Sequence, residues 1–215
     1  MSYAPVMIDK YQLIFWDFDG VIKDSVDVKA QAFVNLFAPY GVEIAEKVRA
    51  HHEANGGMSR FDKLPLYLRW AGEEPSEERV HEFCNRFSQL TLQEVIDAPW
   101  VPGAERYLRT NPYGQIFVLV SATPKGELCQ ILRALDLRKC FSAMFGATTS
   151  KNGAIRMTLG SRGIASQHCL MIGDARADME AAQANQVPFL LRLHATNGRV
   201  FSDYAGPAMK DLTGL

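Results

Sequence analysis

Residues 12–21 read Gln12-Leu-Ile-Phe-Trp-Asp-Phe-Asp-Gly-Val21, an apolar run that passes directly into two acids and a glycine. A short run of this kind suits a strand buried on both faces of a parallel sheet. At its end the period-two pleat points Asp17 and Asp19 to the same side. Gly20 lets the backbone turn sharply beside them at little steric cost. Working outward, no comparable run appears from Ser25 to about Ala98. Helical spacing takes its place, in Val28, Phe33, Leu36 and Phe37, then in Val80, Phe83, Cys84, Phe87 and Leu90. Strand character returns at Gln115–Val120, near Met144–Gly146, at Cys169–Ile172 and at Pro188–Leu191, with helical stretches between most of them. Strand alternating with helix predicts an α/β fold, a right-handed, doubly wound parallel sheet with an all-helical insertion after its first strand. The expected domains are a core of residues 1–23 and 99–215 and a helical cap of residues 24–98. Trp100-Val-Pro-Gly103 marks the linker where the core resumes.

The 215 residues are 47% apolar and 22% charged, an ordinary globular balance that excludes disordered and fibrous classes. A net charge of -1 with scattered basic residues lacks the footprint that nucleic acid requires. Apolar runs such as Ile116–Val120 fall far short of the roughly 20 residues of a membrane span. The N-terminus shows no signal-peptide pattern, so a cytoplasmic protein without nucleic-acid or membrane partners is expected. Cys84, Cys129, Cys140 and Cys169 form no C-x-x-C pair and read as reduced, buried thiols. His51 and His52 point in different directions on a helix and read as part of a solvated face. No heptad or apolar stripe specifies an oligomeric state.

In doubly wound sheets ligands bind beyond the carboxyl ends of the strands. The expected strands deliver Asp17 and Asp19, then Ser121 and Thr123, then Lys151, then Asp174 and Asp178 to that rim, and the last strand delivers nothing. Two adjacent carboxylates repel, and a divalent cation shared with Asp174 would relieve them. Carboxylates without His or Cys in these motifs favour Mg²⁺. An anionic nucleophile approaching a phosphate ester needs neutralising cations, which Mg²⁺ and Lys151 would provide. Asp17 is thus assigned as the nucleophile that forms an aspartyl-phosphate. Asp19, kept protonated by its neighbours, is assigned as acid and then base. Ser121, Ala122 and Thr123, at an expected helix start, are assigned to the phosphate oxygens, with Gly20 giving the phosphate room to approach. Asp178 lies one helical turn after Asp174, where it could orient Lys151 or a metal-bound water.

Asp17-Phe-Asp19-Gly-Val, Ser121-Ala-Thr, Lys151 and Gly173-Asp174-Ala-Arg-Ala-Asp178 resemble, in order and spacing, the four motifs of the haloacid dehalogenase superfamily. The resemblance implies a Mg²⁺-dependent phosphatase acting on a small phosphorylated metabolite, with a C1-type helical cap and a terminal strand and helix in Phe201–Leu215. Asp19 favours phosphate-ester chemistry, since the superfamily's dehalogenases and phosphonatases lack an acid there. The segment Gly57-Met-Ser-Arg60-Phe-Asp-Lys63-Leu looks like the substrate-reading loop of the branch of phosphoglycolate phosphatases and β-phosphoglucomutases. It makes Arg60 and Lys63 candidates to bind a second anionic group. Lys29 stands where the mutases carry a proton-shuttling His, Asn152 follows Lys151 where relatives commonly have proline, and Lys23 occupies a hinge position usually small or apolar. The alternatives are a sugar phosphomutase and a non-catalytic binding protein on the same fold.

Overall fold

The computed structural model describes residues 7–215. Strand β1 (Leu13–Trp16) is buried along its whole length, as its unbroken apolar run requires. It pairs in parallel with β2 (Ile116–Pro124) on one side and β4 (Cys169–Gly173) on the other, with Leu13 opposite both Ile116 and Cys169. The sheet is completed by β3 (Ala143–Ala147), β5 (Phe189–Arg192) and β6 (Ala208–Met209) in the order β3-β2-β1-β4-β5-β6, every pair parallel. The two faces follow the strand period. Ile14, Trp16, Phe117, Leu119, Leu170 and Ile172 pack under the helices carrying Tyr107, Leu108, Leu128 and Ile131. Leu13, Phe15, Val118, Val120 and Met171 pack under those carrying Ala154, Ile155, Ala181 and Ala182. Burial on both faces is why β1 shows no alternation.

The insertion is all helical: α1 (Val26–Phe37), α2 (Val42–Ala54), α3 (Arg60–Trp70) and α4 (Glu77–Asp97). Ser59 and Ser76 cap α3 and α4 by accepting from the Phe61 and Arg79 amides. Phe33, Phe37, Val48, Leu64, Tyr67, Phe83 and Phe87 form a separate apolar cluster inside this cap. Val95 near the end of α4 belongs to the sheet's own cluster, so this helix reaches from the cap into the core. The two connections run side by side: the Asp24 amide donates to Pro99 O and the Val101 amide to Ile22 O. Lys23, the odd residue of this hinge, is buried with its ammonium 4.5 Å from the Trp100 ring centre, a cation–π contact that accounts for it.

The core resumes with α5 (Ala104–Thr110), α6 (Lys125–Ala134), α7 (Lys151–Arg162) and α8 (Arg176–Ala184). Gly103 sits at φ +86°, and a Cβ there would lie 2.3 Å from the Leu212 carbonyl carbon. The terminal segment is thus clamped on the linker, where the Leu212 amide also donates to Pro102 O.

Two expectations need correction. Phe201–Leu215 carries the two-residue strand β6 but no helix; only six residues follow Met209, and they are held by the Leu212 clamp and a turn in which the Leu215 amide donates to Leu212 O. Strand β2 runs on to Pro124, so Ser121 and Thr123 lie in a strand rather than at a helix start, and α6 begins after them. All four cysteines are free, but only Cys84 and Cys169 are buried, Cys129 and Cys140 being half-buried, and no helix among the described residues is long and apolar enough to cross a membrane.

Candidate active site

The carboxyl ends of β1, β3 and β4 bring Asp17, Lys151 and Asp174 together at one rim, under the cap. Lys151, the first residue of α7, places its Nζ 2.8 Å from Asp17 Oδ2 and 2.5 Å from Asp178 Oδ1. Asp178 also accepts the Ala175 amide at 3.1 Å, which ties it to the start of α8. Gly173 is required here, because a Cβ would meet the Asp178 Cβ at 2.3 Å. Gly20, at φ +75°, faces Asp174 so closely that a Cβ would lie 2.2 Å from Asp174 Oδ2. The turn glycine thus makes room for a carboxylate as well as for a turn.

Asp17, Asp174 and Asp178 each offer an oxygen within 4.8 Å of the other two, and all three are buried. Burial, then the charge of Asp178, push the Asp17 carboxyl up to about 7 against the opposing pull of Lys151. Burial raises Asp174 and Asp178 as well, with His194 opposing the shift at Asp174 and Lys151 at Asp178. Burial disfavours the Lys151 ammonium, but the charges of Asp17 and Asp178 outweigh it and hold the proton on. Two of the three buried carboxylates thus share the one Lys151 ammonium, and an all-oxygen donor set under such repulsion fits a hard divalent cation.

Asp19 departs from its expected place. Strand β1 ends at Trp16, so the pleat does not extend to residue 19. The Asp19 side chain lies outside the acidic cluster and accepts from Ser25 Oγ at 2.7 Å, Lys29 Nζ at 2.5 Å and Thr123 Oγ1 at 3.3 Å. Burial alone would raise its carboxyl, but the Lys29 charge and the hydrogen bonds from Lys29 and Ser25 leave it below the ordinary carboxylate value. The expectation of a neutral Asp19 that joins Asp17 and Asp174 around a metal is corrected accordingly. Lys29 Nζ also donates to Thr123 Oγ1 at 2.7 Å, while Ser121 Oγ accepts the Thr123 amide at 3.1 Å.

The cap adds Lys29, His52, Arg60 and Lys63 over a cavity of about 80 Å³ that Asp17, Lys151 and Asp174 line from below. Arg60 is buried and spends its guanidinium on Glu127 of α6 through two 2.9 Å bonds, with a third to Ser88 Oγ. Lys63 is buried with Nζ 3.0 Å from His52 Nδ1 and, among the described residues, has no carboxylate partner. Burial and the nearby Lys29 bring its ammonium down to about 7. The solvated-face expectation for the histidine pair fails. The His52 ring centre lies 4.9 Å from that of Phe33, and His51 Nδ1 is 3.0 Å from the Tyr67 hydroxyl. Burial, then Lys63, hold His52 well below its ordinary value.

Strand β5, the one expected to deliver nothing, also leads to the site. Arg192 at the end of β5 pairs with Asp24 of the hinge at 3.1 Å, and His194 just beyond it lies 2.9 Å from Asp174 Oδ2. Neither the spacing nor the residue type of His194 or Glu127 announces these contacts.

The profile of the family described as haloacid dehalogenase-like hydrolase matches residues 14–191. The chain is 26% identical over 194 residues to a phosphoglycolate phosphatase of Photorhabdus laumondii, covering 86% of this chain and 81% of that one. It is 25% identical over 183 residues to a phosphorylated carbohydrates phosphatase of Thermotoga maritima, covering 80% and 81%. Its fold is shared with a β-phosphoglucomutase of Clostridium difficile, at a TM-score of 0.76, 20% identity and 95% and 93% coverage. With that match running from β1 to β5 and taking in the acidic cluster and the inserted cap, the chain belongs to the haloacid dehalogenase-like hydrolase family.

Proposed function

We propose that this protein is a divalent-metal-dependent phosphomonoesterase that cleaves a small phosphorylated metabolite through an aspartyl-phosphate on Asp17. The observation that carries the reading is the packing of Asp17, Asp174 and Asp178 within 4.8 Å with Lys151 bonded into the cluster. No scaffold role requires so self-repelling a group of buried acids. The similarity to phosphatases of phosphoglycolate and of phosphorylated carbohydrates supports the substrate class. A cation held by Asp17 and Asp174, Mg²⁺ by the donor chemistry, would supply positive charge to the phosphoryl oxygens and lower the charge barrier to attack.

Lys151 would neutralise a further phosphoryl oxygen while holding the Asp17 carboxylate in place. Asp17 then forms the new P–O bond as the ester P–O bond breaks. The leaving oxygen takes the proton shared between Asp19 and Lys29. Water attacks phosphorus in the second step, the same pair recovers a proton from it, and phosphate leaves with the Asp17 carboxylate restored. The small cavity and the cap above it favour compact substrates and exclude bulk water. Lys29 supports hydrolysis over transfer to a second hydroxyl, since its Nζ is engaged with Asp19 and Thr123.

The test is phosphate release from a panel of phosphorylated metabolites with and without Mg²⁺, beside an Asp17→Asn variant. Release is expected to require both Mg²⁺ and Asp17. A bisphosphate intermediate with no net phosphate would point to a mutase instead.

A further inference from the structure

His194 lies two residues past the end of β5, outside the four motifs, yet its Nε2 is 2.9 Å from Asp174 Oδ2. The loop that carries it is held at several points. The Asn197 side-chain amide donates to Asp174 O at 2.8 Å and to Arg192 O at 2.9 Å, while its Oδ1 accepts the His194 amide at 2.9 Å. On the far side of the imidazole, the Thr196 backbone amide approaches Nδ1 at 3.4 Å and the Thr196 hydroxyl lies 3.0 Å away. A backbone amide can only donate, so Nδ1 is an acceptor and the ring proton sits on Nε2, facing Asp174. The imidazole therefore donates to the carboxylate.

We infer that His194 is a positioning residue for the divalent cation: its Nε2–H, with the tautomer set by Thr196, holds Asp174 in the rotamer that accepts the metal. The inference rests on the metal-dependent reading above. Asp174 Oδ2 is confined from two sides, by the imidazole and by the backbone of Gly20, where even a Cβ would come within 2.2 Å. With one oxygen fixed, the carboxylate plane is fixed, and its remaining lone pairs can meet the oxygen of Asp17 at a shared ion. A ligating carboxylate that is itself hydrogen-bonded loses less freedom on binding, which is how outer contacts tune metal affinity.

The experiment is calorimetric titration of Mg²⁺ into the substrate-free protein, for the wild type, His194→Ala and His194→Gln, with unfolding temperature in chelator as the check on folding. His194→Ala is expected to weaken Mg²⁺ binding by roughly 10–100-fold. His194→Gln, whose amide N–H can reach the same oxygen, is expected to recover most of the loss. His194→Phe, which fills the space without a donor, replaces the alanine variant should that one not fold, and is expected to bind as weakly. Equal Mg²⁺ affinity in the wild type and in the donor-less variants would overturn the inference while leaving the metal reading intact. A glutamine variant as weak as alanine would also overturn it. A wild-type protein that binds no divalent cation would overturn both.

Discussion

Lys29 of the cap donates to Asp19 of the core across 2.5 Å, so the pair proposed to move the proton is built from both parts of the molecule. The carboxyl of Asp19 is held low by that ammonium against the effect of burial. Removing the ammonium leaves burial as the largest influence, and the pH at which Asp19 loses its proton must rise. Lys29→Met is therefore expected to lower kcat by about 100-fold or more, the usual scale for a lost proton-transfer partner. The acidic limb of its pH–rate profile should move to higher pH. Superimposable profiles for the variant and the wild type would separate Lys29 from the proton path.

Asp17 carries a testable linkage between pH and metal. Its carboxyl is raised from 3.8 to about 7 by burial and Asp178. Its contribution to stability is fully present below the lower value and is lost as pH rises through the upper one. A cation reverses this, because it binds the ionised cluster. The gain in unfolding temperature on adding Mg²⁺ should therefore grow between about pH 4 and pH 8. Differential scanning fluorimetry in Mg²⁺ and in chelator measures it, and a gain independent of pH would contradict the linkage.

Arg60 and Glu127 form a buried ion pair across the boundary between α3 of the cap and α6 of the core, at 4% and 6% side-chain exposure. Glu127→Ala would leave the guanidinium buried without its partner, a change expected to destabilise by about 3–5 kcal/mol. The double variant Arg60→Ala, Glu127→Ala should cost less than the sum of the single changes, because the second removes the stranded charge. Urea unfolding of the four proteins checks this. Strict additivity would show that the two side chains are not coupled in solution.

Lys63 presents the opposite case, a buried ammonium beside His52 with its proton held only up to about 7 instead of 10.5. For a depressed folded value, the stabilising contribution is present above the ordinary value and lost as pH falls through the folded one. Lys63→Met should therefore gain unfolding temperature over the wild type most strongly below about pH 7 in the absence of substrate. With a substrate that carries a second anionic group the same variant should show a raised KM, because that anion would be the counter-charge that Lys63, bonded to His52, lacks among the described residues. Thermal melts across pH and a comparison of one-anion and two-anion substrates test the two halves separately.

The sheet was readable because apolar runs such as Leu13–Trp16 and Cys169–Gly173 are short, unbroken and followed at once by acids. The helical cap was readable because Phe33, Phe37, Phe83 and Phe87 recur at helical spacing and do share one cluster. Asp17, Lys151, Asp174 and Asp178 meet because each follows or opens an element at the same rim. What escaped the sequence lies in contacts between distant segments. Nothing near Glu127 marks it as the partner of Arg60, 67 residues away. His194 reaches Asp174 only because β5 pairs beside β4. The apolar run of β2 stops at Val120 and suggests a helix start at Ser121, but the strand continues four residues further, to Pro124. For the His51–His52 pair, helical direction alone does not reveal which face an aromatic cluster covers, and Phe33 lies against the His52 ring.

The central claim is that Asp17 itself accepts the phosphoryl group, and the most direct measurement is mass spectrometry of acid-quenched protein during turnover of the best substrate. An Asp19→Asn background, in which the second step is slowed, lets the adduct accumulate. The account predicts a phosphoryl adduct on the peptide containing Asp17 that needs Mg²⁺ and is absent from the Asp17→Asn, Asp19→Asn protein. Normal Mg²⁺-dependent phosphate release by a protein carrying only Asp17→Asn would contradict it.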